Sequence, residues 1–129
     1  MDSVVHFEIP ADNTKRAAEF YQKAFGWTAQ TMPEFDYTML GTTMSDENGM
    51  PKQPGAINGG MAKRGGPIEH IVVTIGVQDI DAALSRIEKL GGKTVQKKMA
   101  IGDGSMGFTA YFKDTEGNVV GLYQIGQHM

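Results

Sequence analysis

Val5-His6-Phe7-Glu8-Ile9, followed by Asp12-Asn13-Thr14, and His70-Ile71-Val72-Val73-Thr74-Ile75, followed by Gln78-Asp79, are the two stretches whose reading decides the fold. Each opens with β-branched or aromatic residues over a length that suits one strand. Each is then punctuated as a helix. In the first, Asp12, Asn13 or Thr14 can cap orphan N–H groups, and Ala17, Ala18, Phe20, Tyr21, Ala24 and Phe25 form an apolar stripe that Gly26 can end in the left-handed conformation. In the second, Asp79 is the expected cap, Ile80, Ala83, Leu84, Ile87 and Leu90 recur at spacings of three and four, and Gly91 closes the helix. His6 and His70 stand half the chain apart, and Gly26 and Gly91 by almost the same interval, so one duplicated unit explains the order of features.

Outward from these stretches the pattern turns strand-like. It is broken at Pro33-Glu34-Phe35-Asp36, at Ser45-Asp46-Glu47-Asn48-Gly49, at Gly102-Asp103-Gly104-Ser105 and at the hairpin signal Asp114-Thr115-Glu116-Gly117-Asn118. Each half therefore reads as strand, helix, then about three strands. The segment from Met50 to Gly66 is rich in Pro and Gly, and a strand near Ala56 to Ala62 is the least securely placed of the set.

The chain has 129 residues, which suits one domain with a shared core. Its 40% hydrophobic and 21% charged residues are ordinary for a globular protein, and no stretch approaches a membrane span. Met1-Asp2-Ser3 runs directly into Val4-Val5, without the basic and long apolar parts of a secretion signal, so a cytosolic (cytoplasmic) location is expected. With 0 Cys there is no thiol chemistry, which leaves His, Asp, Glu and Tyr. A net charge of −3 gives nucleic acid little attraction, and Lys63-Arg64 and Lys97-Lys98 read as solvated hairpin residues. The nine methionines are expected to fill the core and strand ends. Gly59-Gly60 and Gly102-Asp103-Gly104 lack the strand-to-helix setting of a phosphate loop.

His6-Phe7-Glu8-Ile9-Pro10, Phe20-Tyr21 with Phe25-Gly26-Trp27, Glu69-His70-Ile71, and Asp114-Thr115-Glu116-Gly117-Asn118-Val119-Val120-Gly121-Leu122 resemble the vicinal oxygen chelate superfamily. That superfamily includes glyoxalase I, bleomycin-resistance and fosfomycin-resistance proteins and extradiol dioxygenases. The resemblance runs in order along nearly the whole chain. It implies an α+β fold of one glyoxalase-like domain: two βαβββ modules, about residues 1–64 and 65–129, forming a curved mixed sheet whose first and fourth strands line a cleft. It also implies a homodimer and a small-molecule ligand, with no nucleic-acid or membrane partner.

In metal-using members of that superfamily the ligands, typically His, Glu or Gln, come one each from the first and fourth strand of each module. The resemblance puts His6 at the first position and His70 at the matching position of the second module. The last ligand, a few residues after the Asp-x-x-Gly-Asn turn, falls on Gly121, which has no side chain to coordinate with. The remaining one should lie around Ile57-Asn58-Gly59-Gly60-Met61, where no acid or His stands and Asn58 is a poor substitute. Residues i and i+2 of a strand share a face, so Glu8 could join His6 and His70 in a two-His, one-carboxylate set for a divalent zinc, nickel, iron or manganese ion.

Two classes of function follow. One is a metal-free binding module with an incomplete metal site, like the drug-sequestering resistance proteins. The other is a metal-dependent lyase, isomerase or dioxygenase using His6, His70 and possibly Glu8. Glu8 is also the candidate general base, because a carboxylate beside an imidazole on a cavity face has a movable pKa. Thr74 on the His70 face, Tyr111, Tyr123 and the room left by Gly121 are candidate substrate contacts. The alternative for His6 and His70 is a hydrogen-bonded neutral imidazole, and for the tyrosines core packing with a satisfied hydroxyl.

Overall fold

The computed structural model describes residues 1–126. Eight strands and two helices follow one another as β1 (Val4–Ala11), α1 (Thr14–Phe25), β2 (Thr28–Met32), β3 (Tyr37–Gly41), β4 (Gly59–Lys63), β5 (Val72–Gly76), α2 (Ile80–Lys89), β6 (Lys93–Ala100), β7 (Phe108–Lys113) and β8 (Val119–Gln124). The fold is α+β, two βαβββ modules in succession. The chain divides into two compact units, one of His6–Ile71 and one of Met1–Val5 together with the residues from Val72 onward.

In the first unit the strand order is β2-β3-β4-β1, antiparallel except for the parallel pair of β4 with β1. Helix α1 is capped by the Asn13 side chain, which accepts from the Arg16 N–H, and ends at Gly26 with φ 73°. Alternation along β1 sends Phe7, Ile9 and Ala11 to one face. There Ile9, Ala11, Leu40 and Met61 form a buried cluster against which Ala17 and Tyr21 of α1 and Trp27 pack. Trp27 lies parallel to Tyr21, with ring centroids 4.9 Å apart. The indole is therefore core, as its place just after the helix suggests.

The second unit repeats the plan as β5-β8-β7-β6, again with one parallel pair, β5 with β8. Helix α2 is capped by Asp79, which accepts from the Ala82 N–H, and Gly91 with φ 101° follows its C-cap Leu90. Its core is Ile80, Ala83, Leu84, Ala110, Phe112 and Leu122. The N-terminal residues of this unit lie along β5: the Gly76 N–H donates to the Ser3 carbonyl, and Val5 sits against Gly76.

Between β3 and β4 the chain makes an excursion held by Asn58. Its Oδ1 accepts from the Thr42 N–H and its amide donates to the Ser45 hydroxyl. Asn58 is thus committed to holding the loop, a structural use and not that of a substitute ligand.

Candidate functional site

On β1 the residues opposite the core face are His6, Glu8 and Pro10, and no helix of this unit covers that side. Glu8 is nonetheless only 7% exposed. One of its partners lies two strands away. After a 3-10 turn over Pro33–Phe35, Asp36 takes the left-handed conformation, with φ 49°, and redirects the chain so that β3 begins at Tyr37. From there the phenol reaches across β4 to β1, donating to Glu8 Oε2 at 2.8 Å and meeting His6 Nε2 at 3.0 Å.

Next-but-one strands lie about 10 Å apart, so a tyrosine can bridge them only if the strand between carries no side chain in its path. Gly60, the Cα partner of both Glu8 and Met39, is that gap. A Cβ built on Gly60 would overlap the Tyr37 ring. Gly59, one residue earlier, makes the same kind of room on the core face for Phe7.

The proton order follows from valence. A carboxylate only accepts, so the single phenolic proton goes to Glu8, and the 3.0 Å contact with His6 must use an Nε2–H donating to the phenol oxygen. Neutral His6 is therefore the Nε2–H tautomer, with its lone pair on Nδ1. Burial lowers the imidazole pKa from its ordinary 6.5, with the Glu8 charge acting in the opposite direction as the smaller effect.

His70 is placed otherwise than expected. It lies exposed on a bend before β5, not on the strand, and His6, Glu8 and His70 do not gather. The register explains this. Asn13 caps α1 seven residues after His6, and Asp79 caps α2 seven residues after Val72. Glu8 pairs with Gly60 on the fourth strand of its module, as Thr74 does with Gly121. The counterpart of His6 is Val72, a buried apolar residue.

Thr74, Gly121 and Tyr111 do form one row across β5, β8 and β7, and Thr74 and Tyr111 are both buried. The room expected above Gly121 is already taken, since a Cβ there would stand 2.8 Å from the Thr74 hydroxyl oxygen. Tyr123, two residues along β8, donates its hydroxyl to the Met106 carbonyl at 2.7 Å and so pins the loop before β7; burial raises its pKa. An open hollow of about 430 Å³ lies beside that loop, lined by Lys98, Asp103, Ser105, Phe108 and Gln124, and holds none of the candidate residues apart from this neighbourhood.

The family model described as Glyoxalase/Bleomycin resistance protein/Dioxygenase superfamily matches residues 3–122. The chain belongs to that superfamily. A glyoxylase-like domain-containing protein of Didymella fabae is 33% identical over 119 residues, covering 86% of this chain and 84% of that protein. Among solved structures, a hypothetical protein from Bacillus halodurans C-125 superposes with TM-score 0.66 at 13% identity, over 99% of this chain and 97% of that one. Methylmalonyl-CoA epimerase from Mycobacterium tuberculosis gives 0.64 at 14%, over 96% and 88%. A variant of the Streptomyces coelicolor epimerase, in complex with 2-nitronate-propionyl-CoA, gives 0.65 at 18%, over 96% and 97%. At these identities the structural likeness speaks for the fold.

The superfamily's metal pattern falls on definite positions of the strand register. The four positions, one on the first and one on the fourth strand of each module, are His6, Gly60, Val72 and Gly121. One of the four carries a ligating side chain, and its Nε2–H is spent on Tyr37. Among the described residues no group of three or more His, Asp or Glu could hold a metal ion. A divalent site needs about three protein ligands, so these residues do not fit a superfamily-type metal centre. Among the described residues, too, no helix is long and apolar enough to cross a membrane.

Tyr37 was missed by sequence reading. The usable signal was Gly59-Gly60 inside a strand, since a glycine in a strand interior often marks a close approach by another group.

Proposed function

We propose that this chain is a metal-independent small-molecule-binding domain of the glyoxalase superfamily, and that its binding face is the helix-free side of the first unit around His6, Tyr37 and Glu8. The observation that carries the reading is the Tyr37 phenol lying over Gly60, where the pattern calls for a ligand side chain, and bonded to both polar residues of β1. The hydrogen-bonding capacity that a metal centre would need is turned inward. Within this reading Glu8 is the group that takes up a proton, received through the Tyr37 hydroxyl from His6 Nε2.

The test is elemental analysis and calorimetric titration of the purified chain with nickel, zinc, iron(II) and manganese, beside a His6→Ala, His70→Ala double variant. The expected result is less than about a tenth of an equivalent of bound metal in either protein. One equivalent bound by the parent and lost in the variant would overturn the proposal.

A further inference from the structure

The excursion between β3 and β4 contains two Asn-Gly pairs, Asn48-Gly49 and Asn58-Gly59, in opposite surroundings. In such a pair the side-chain amide is open to attack by the next main-chain nitrogen, because glycine has no Cβ to hinder the approach. Asn58 is held at both ends of its amide, accepting from the Thr42 N–H at 2.9 Å and donating to the Ser45 hydroxyl at 2.8 Å. Gly59 after it is buried in β4, paired with Leu40 and overlain by the Phe7 ring. Asn48 and Gly49 are both exposed, and the Asn48 side chain has no hydrogen-bond partner among the described residues.

The turn itself does not require an asparagine there. Asp46 caps it by accepting from the N–H groups of Asn48 and Met50 at 2.9 and 3.0 Å, with Gly49 at φ 80°. Asp114 builds the same turn, accepting from Glu116 and Asn118 at 2.8 and 2.9 Å, with Gly117 at φ 85°. In that second turn the residue before the glycine is Glu116, so either side chain satisfies the geometry. A glutamate cannot close the five-membered ring that an asparagine can.

We propose that Asn48 is a spontaneous modification site, whose conversion to aspartate and isoaspartate loosens the excursion that Asn58 holds. The Gly49 nitrogen gives its proton to solvent base and attacks Asn48 Cγ, and ammonia leaves as a succinimide closes. Water then opens the ring. Breaking the bond from nitrogen to Cγ gives aspartate, and breaking the bond from nitrogen to the main-chain carbonyl carbon gives isoaspartate. The Gly49 N–H donates to the Asp46 carbonyl at 3.0 Å, so the turn must open first, and opening an exposed turn costs less than pulling Gly59 out of a paired strand. The isoaspartyl link lengthens the main chain by a methylene inside a turn held by the Asp46 bonds and the bridge of Ser45 with Pro51. Ser45 is also the acceptor for the Asn58 amide, so the change reaches the residue that leads into β4.

The test incubates the full chain in mildly alkaline buffer at physiological temperature and follows each asparagine by peptide mass spectrometry. Isoaspartate is read by methyl transfer from S-adenosylmethionine with an isoaspartyl methyltransferase. Asn48 is expected to convert at least about tenfold faster than Asn58, the difference between opening a turn and opening a strand. In urea the gap should close to within a few-fold. Asn48→Gln should fold as the parent does and lose both the mass gain and the methyl acceptance at this turn. In the converted protein, hydrogen exchange at the Thr42 N–H should quicken, because Asn58 is its acceptor. Equal rates at Asn48 and Asn58 in the folded chain, a gap that persists in urea, methyl acceptance at this turn that survives Asn48→Gln, or unchanged exchange at Thr42 after conversion would each overturn the proposal.

Discussion

The two units solve the same strand arrangement with a glycine at the same place, and they put the glycine to different uses. Gly60 and Gly121 both face the residue five before a helix cap, Glu8 in one unit and Thr74 in the other. At Gly121 the vacated space is filled from the adjacent strand by a threonine hydroxyl, a local adjustment. At Gly60 it is crossed by a phenol from β3 that ties that strand to β1. The residue of β7 that corresponds to Tyr37, judged from its pairing two residues before the partner of the glycine, is Thr109, which is too short to cross a strand. A shared backbone plan therefore becomes a polar relay in one unit and close packing in the other through a single long side chain.

The sharpest way to break that comparison is to add one methyl group to each glycine. Gly60→Ala should destabilise the protein by about 3 kcal/mol, because a rigid ring must leave and lose both hydrogen bonds. Gly121→Ala should cost about 1 kcal/mol, because the Thr74 side chain can turn away from a contact at 2.8 Å. Urea denaturation measures both. A second change should recover part of each loss, Tyr37→Ala in the first case and Thr74→Ala in the second. Equal costs for the two glycines would mean that the phenol yields as easily as the hydroxyl.

Removing the hydroxyls sharpens the contrast on a smaller scale. Tyr37→Phe takes a donor from a buried carboxylate and an acceptor from His6, for an expected loss of about 2 kcal/mol. Tyr123→Phe loses one bond to the carbonyl of exposed Met106, which water can replace, for about 1 kcal/mol or less. The Tyr37 change should also alter the imidazole signals of His6, whereas the Tyr123 change should leave them where they are.

What was legible in the sequence follows the range of the interactions. The caps at Asn13 and Asp79 and the left-handed Gly26 are decided by neighbours a few residues away, and they are readable for that reason. The doubled unit was also readable, but its phase was set by matching one histidine to another. Counting back from the helix caps pairs His6 with Val72 and leaves His70 on the bend before β5. The relay was out of reach because Tyr37 stands 31 and 29 residues from His6 and Glu8, and nothing local announces the contact. The filling of the space at Gly121 depends on the rotamer of Thr74, which composition and spacing do not encode.

The smallest predicted effect is a pH slope that belongs to the first unit's relay. Burial holds the His6 imidazole below its ordinary pKa of 6.5, so the folded protein binds a proton there less readily than the unfolded chain. Above 6.5 the imidazole is neutral in both states, and its contribution to stability is fully present. As the pH falls below that value the unfolded chain protonates first and the folded state loses ground, and the loss is complete once the pH has passed through the lower folded value. Stability should therefore fall on acidification in this window, and the fall should be shallower in His6→Gln. The Glu8 charge acts against the shift, so Glu8→Gln should move the folded pKa further down and extend the window to lower pH. Denaturation midpoints measured across that range in the three proteins decide it: a parent and a His6→Gln variant with parallel pH profiles would mean that His6 is as well solvated when folded as when unfolded, and the relay would lose its hold on the imidazole.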